Sequence, residues 1–212
     1  MNNNNKISNT ARITATVLAL VTLAGLVIRF ILATEQHGSF LAGASHLYQY
    51  FTIVTNSLVF FVMAAIGLGK TPHRLVVHAT VVAIIGVGII FHALLSQFGA
   101  REGLDGLGNL ITHTIVPTAS LVWWLAHSDK HAVEWRDAFF SLICPSAYTI
   151  YALIRAEFSG FYPYAFIDLQ KLGWGGLAQS VFFLGLAFLA LALITIAYAR
   201  VTTRLKAKPS LA

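Results

Sequence analysis

Long apolar stretches separated by short polar breaks dominate the chain from residue 13 to residue 199. Six of them reach the roughly 20 residues that a helix needs to cross a bilayer. They fall at 13–34, 50–69, 75–95, 107–126, 138–158 and 176–199. Backbone amides in hydrocarbon must find partners within their own segment, so the pattern predicts helices throughout. The expected fold is all-α: one six-helix transmembrane domain over residues 1–212, with tails at about 1–12 and 200–212. The connections are short except at 159–175, which reads SGFYPYAFIDLQKLGWG and is rich in aromatic residues, Gly and Pro. Such a segment is expected to fold as an entrance loop, with Tyr162, Tyr164 and Asp168 at the mouth of the bundle.

Composition fixes the solvent. Of 212 residues, 57% are apolar and 10% are charged, against about 25% charged in an ordinary soluble domain. A lone cysteine, Cys144, excludes a disulfide framework and a cysteine-rich zinc site. The net charge of +6 reports topology rather than nucleic acid. Ten basic residues (Lys6, Arg12, Lys70, Arg74, Lys130, Arg136, Arg200, Arg204, Lys206 and Lys208) flank one side of the spans, and three (Arg101, Arg155 and Lys171) flank the other. By the positive-inside rule both termini are cytoplasmic. The ten are spread over four separate segments, which argues against a nucleic-acid surface.

With charge so scarce, each polar residue at membrane depth carries information. Thr52, Thr55 and Asn56 share one face of the second span by their i, i+3, i+4 spacing. At 1.5 Å per residue, they lie at about the depth of His113 on the fourth span, His92 on the third and Arg29 on the first. This stratum suggests acyl transfer. A hydroxyl nucleophile needs a neighbouring base, and imidazole is the usual one. Thr52 or Thr55 with His113 or His92 would form that pair, Asn56 and His92 would polarise an oxyanion or orient the pair, and Arg29 would hold an anionic head group. Each residue also has a plain structural use: threonine hydroxyls bond their own i−4 carbonyls, His92 can bridge helices, and Arg29 can reach outward to water. Pro117, one turn after His113, is expected to kink its helix.

Two further readings compete. His78 and His92 are fourteen residues apart on the third span, and His113 and His127 on the fourth. Antiparallel packing would present two histidine pairs, as stacked b-type haems require, with Gly86 and Gly88 beside the rings. Against haem, His127 lies in the polar stretch AHSDKH at the span boundary. Alternatively, the polar stratum serves a non-enzymatic bundle that binds or moves a lipid.

Several motifs carry a family resemblance: YFTIVTN at 50–56, HTIVP at 113–117, WRDA at 135–138, PSAYTIYALIR at 145–155 and GFYPYAFID at 160–168, followed by LGWG. In this order, and over about residues 17–199, the chain resembles a bacterial six-span membrane family. That family is in turn similar to the animal androgen-induced gene and androgen-dependent TFPI-regulating proteins. These are atypical membrane threonine hydrolases that cleave esters of fatty acids with hydroxy fatty acids. The resemblance implies Thr52 as nucleophile, His113 as base, a hydrophobic ester substrate drawn from membrane lipids, no cofactor and no metal. It also implies a location in the bacterial inner membrane. The animal spacing from HT to Pro is one residue longer than in HTIVP.

Overall fold

In the computed structural model, residues 7–96, 102–128 and 133–207 are described. Lys6, Arg101, Lys130 and Lys208, counted above, lie outside them. Among the described residues the chain is helical with no strand. Four helices are long and apolar enough to cross a membrane, Asn9–His37, Arg74–Leu95, Asp137–Ser159 and Leu169–Thr203. A fifth span results if Phe40–Leu47 and Phe51–Gly67, bent by 99°, are taken together. These features are compatible with a multi-pass membrane protein. The chain divides into two compact units, Met1–Ser128 and Asp129–Ala212.

In the first unit, α1 (Asn9–His37) begins at Ser8, whose hydroxyl accepts the Ala11 N–H at 3.2 Å. The segment after it is not the plain loop expected from the sequence. Ser39 caps a short helix, α2 (Phe40–Leu47), by accepting the Ala42 N–H. Its residues Leu47 and Phe40 pack back toward Phe30 and Leu26 of α1. Then come α3 (Phe51–Gly67), α4 (Arg74–Ile90), a π-turn at Phe91–Leu95, α5 (Gly103–Leu110), a second π-turn at Ile111–Ile115, and α6 (Val116–His127).

The helices pack in a ring, α1 on α3, α3 on α4, α4 on α6, and α5 and α6 back on α1. Arg12 Nε donates to Gly67 O at 3.3 Å, and Trp123 Nε1 to Ala11 O at 3.1 Å. These bonds gather the start of α1, the end of α3 and the end of α6 at one end of the unit. The helix starts and ends that carry the polar stratum therefore meet at the other. The core is built largely on α4, where Val81, Val82, Ala83 and Ile84 are fully buried, together with Val59, Met63, Val116 and Trp124. Side chains on the outer face of α1 (Ile13, Val17, Leu20, Ile31) stay exposed. An apolar solvent suits such a face and water does not.

In the second unit, α7 (Asp137–Phe140) leads into α8 (Ile143–Ser159), then a 3₁₀ turn at Ala165–Ile167 and α9 (Leu169–Ala207). The last helix begins seven residues before the expected start at 176. Asp168 caps it, accepting the N–H groups of Gln170 and Lys171 at 3.1 and 3.2 Å. Gly173, at φ +64°, breaks the helix between this first turn and the long apolar run. The loop expected at 159–175 is thus partly helical, because a cap residue sits inside it.

Candidate active site

Thr52 is the second residue of α3, on a face buried against the rest of the first unit. Its hydroxyl lies 3.2 Å from His113 Nε2. Thr55, one turn on, is fully buried, and its hydroxyl donates to Phe51 O at 2.8 Å with Thr52 O at 3.1 Å. Two threonines that the sequence could not separate are therefore distinct: one serves its own backbone and the other faces an imidazole.

The other ring nitrogen of His113 fixes the tautomer. Nδ1 is 3.1 Å from Asn109 O, which can only accept, so Nδ1 carries the proton. Thr112 Oγ1 is also near Nδ1 at 3.2 Å, but its own hydrogen goes to Gly108 O at 2.8 Å, so it too accepts. In the neutral ring Nε2 is then the acceptor, and the Thr52 O–H donates to it. This is the protonation pattern that a general base requires. The ring is also held from one side by Phe91, stacked at 4.0 Å between centroids. The carbonyl of Asn109 thus orients the His113 ring from within its own helix.

The second π-turn explains the geometry around His113. In an α-helix Val116 N–H would bond Thr112 O, but here it turns to Ile111 O. Pro117 has no N–H to offer. Thr112 O is left for a donor from elsewhere, and Asn56 Nδ2 supplies one at 3.2 Å while also donating to Thr52 O at 2.8 Å. Asn56 is fully buried. The sequence suggests Asn56 as an oxyanion donor, and here its amide is engaged with backbone. Both of its N–H groups are committed to carbonyls, and the atom left over, Oδ1, is a buried acceptor without a partner among the described residues. Asn56 ties the helix of the nucleophile to the helix of the base.

His92 and Arg29 also have partners of their own. His92, exposed, bonds Thr114 Oγ1 at 3.0 Å and is not bonded to Thr52 or His113. Arg29 pairs with Asp105, the two side chains 20% and 41% exposed, so its charge already has a carboxylate. At the start of α3 the helix dipole is positive, and the N–H groups of Ile53 and Val54 donate to Tyr50 O at 3.1 and 3.4 Å. Thr52 stands at that end of α3.

The haem arrangement finds no room. A Cβ added at Gly88 would come within 3.0 Å of Pro117 Cβ and 3.3 Å of His113 O, so α4 and α6 touch where a macrocycle would have to sit. His127 bonds Thr14 Oγ1 at 3.3 Å, and His78 is buried beside Trp124. No group of three or more His, Cys, Asp or Glu suited to a metal occurs among the described residues.

Tyr162, Tyr164 and Asp168 belong to the second unit. Tyr162 is half-buried, and Tyr164 stacks on Phe166 at 5.0 Å. Burial raises the Asp168 carboxyl, but hydrogen bonds and the charge of Lys171 outweigh it and leave the group below the usual carboxylate range. The first unit also has an apolar groove of about 590 Å³ between α1, α2 and α3, lined by Leu26, Phe30, Phe60 and Phe61 among others. On α3 its residues Phe60 and Phe61 stand roughly 80–180° around the helix from Thr52, so it lies apart from the Thr52–His113 contact.

The sequence missed Asn109, Phe91, Thr112 and Asp105. Only Pro117 gave a signal: a proline four residues after a histidine removes the donor for that histidine's carbonyl. No family model, no curated protein and no solved structure matches the chain.

Proposed function

We propose that the protein is a membrane hydrolase of lipid esters with Thr52 as nucleophile and His113 as base. The observation that supports it is the Thr52 Oγ1 to His113 Nε2 distance of 3.2 Å with Nδ1 anchored on Asn109 O. Thr52 Oγ adds to the acyl carbonyl carbon while its proton passes to Nε2. The oxyanion is favoured by the positive end of the α3 dipole, where Thr52 stands. Collapse expels the alcohol, which takes the proton from His113 and leaves an acyl ester on Thr52. Water, deprotonated by His113, then releases the carboxylic acid and restores the hydroxyl. The natural substrate in this reading is a hydrophobic ester of the fatty acid–hydroxy fatty acid type, drawn from surrounding lipid.

The same reading takes the chain as six-spanning in a bacterial inner membrane, both termini cytoplasmic. In it the fourth span is α5, the π-turn and α6, elements of 8, 5 and 12 residues in unbroken succession. At 1.5 Å per residue this run is roughly 37 Å long, enough for a 30 Å core. Asn109, Thr112, His113, Thr114 and Ser120 lower its hydropathy, which is the cost of carrying the site.

Turnover of a p-nitrophenyl fatty-acid ester by the purified protein in detergent tests the reaction. Wild type should hydrolyse it, and Thr52→Ala and His113→Ala should each lose about 10³-fold or more in kcat/KM. Thr52→Ala with unchanged turnover overturns the assignment. Wild type without turnover that retains bound lipid would instead favour the lipid-binding bundle.

A further inference from the structure

We propose that Pro117 is a positioning residue for the base: by removing one N–H it imposes the π-turn that sets the tautomer of His113. The inference rests on the hydrolase reading for its kinetic consequence but not for its structural one. Pro117 is the fourth residue after His113, so in α-register its nitrogen would face His113 O with no hydrogen to give. The chain responds by widening the preceding turn, and Val116 N–H reaches back to Ile111 O. Two effects follow inside the site. Thr112 O becomes the carbonyl that Asn56 grips, which joins α3 to this turn. And His113 sits within the widened turn, where its ring Nδ1 reaches the carbonyl of Asn109 in the same helix at 3.1 Å. Proline is usually costly inside a helix, and π-turns of this kind recur at functional sites. Here the cost falls on the turn that holds the base.

The second contact of Pro117 makes the test clean. A Cβ added at Gly88 would lie 3.0 Å from Pro117 Cβ, where the two helices touch. Pro117→Ala keeps that Cβ and restores an N–H, so the contact at Gly88 is retained while the new N–H can bond His113 O. The variant should be at least as heat-stable as wild type, opposite to what a merely structural proline would give. In protein labelled with ¹⁵N-histidine, with His113 assigned by its loss in His113→Gln, the wild-type ring should be protonated at Nδ1. In Pro117→Ala that signature should be lost. Turnover should fall about a hundredfold in kcat, the effect of a slight misplacement, with KM little changed. An Nδ1-protonated His113 in Pro117→Ala overturns the proposal, as does a kcat within threefold of wild type. If wild type proves inactive on esters, the hydrolase reading fails, and the ¹⁵N comparison still decides the role of Pro117.

Discussion

Among its described residues the first unit contains two π-turns, each carrying a histidine bonded to a threonine, and they differ in how the displaced carbonyl is satisfied. At Phe91–Leu95, Ser96 N–H turns back to Phe91 O at 2.8 Å, and the same residue's hydroxyl fills His92 O at 3.0 Å. The defect is repaired locally, and His92 and Thr114 meet at an exposed position. At Ile111–Ile115, Val116 has no hydroxyl to make that repair, and the carbonyl is taken by Asn56 from another helix. The histidine of this second turn has both ring nitrogens engaged and an aromatic ring against its face. A Thr–His contact is thus common to both turns and discriminates nothing. The anchored second nitrogen and the partner helix are what set the candidate site apart.

The comparison breaks most readily at the hydroxyls. Thr52→Ala and His113→Ala should lose about 10³-fold or more in ester turnover, while Thr114→Ala and His92→Gln should stay within about threefold of wild type. Equal losses in the two pairs would erase the distinction. The carbonyl partners come next. Asn56→Ala strands Thr112 O in the core and should destabilise the protein by about 1–3 kcal/mol, seen as a lowered thermal midpoint together with lost turnover. Ser96→Ala, exposed and local, should cost no more than about 0.5 kcal/mol. Thr55→Ala sharpens the contrast on α3 itself: its hydroxyl serves only its own helix, so turnover should persist with a midpoint shift worth about 1 kcal/mol or less. Smallest is Arg29→Ala. A partly exposed ion pair contributes about 0–1 kcal/mol, and hydrolysis of a neutral ester should be unchanged, whereas an anchoring role for Arg29 would raise KM for a carboxylate-bearing substrate.

Much of this was legible in the sequence, and the boundary is physical. Hydropathy marks where a helix lies, so the apolar stretches at 13–34 and 75–95 foretold α1 and α4. Spacing marks which residues share a depth, which drew out Thr52, Thr55, Asn56, His92 and His113. What it could not separate was Thr52 from Thr55, because both lie on the same face and only the position of the partner differs. Backbone carbonyls are the same for every residue type, so nothing in the letters said that Asn109 O would orient His113. Arg29 and Asp105 lie 76 residues apart and meet only because α5 packs on α1. The short α2 escaped because eight residues carry too little periodicity to distinguish from a loop.

The most direct test of Thr52 as nucleophile is the mass of the residue itself after reaction. Wild-type protein treated with a fluorophosphonate, digested and sequenced by mass spectrometry, should carry the phosphonyl adduct on Thr52, and His113→Ala should carry none. An adduct on Thr55, Thr114 or any residue other than Thr52, or no adduct in a preparation that hydrolyses esters, would contradict the account.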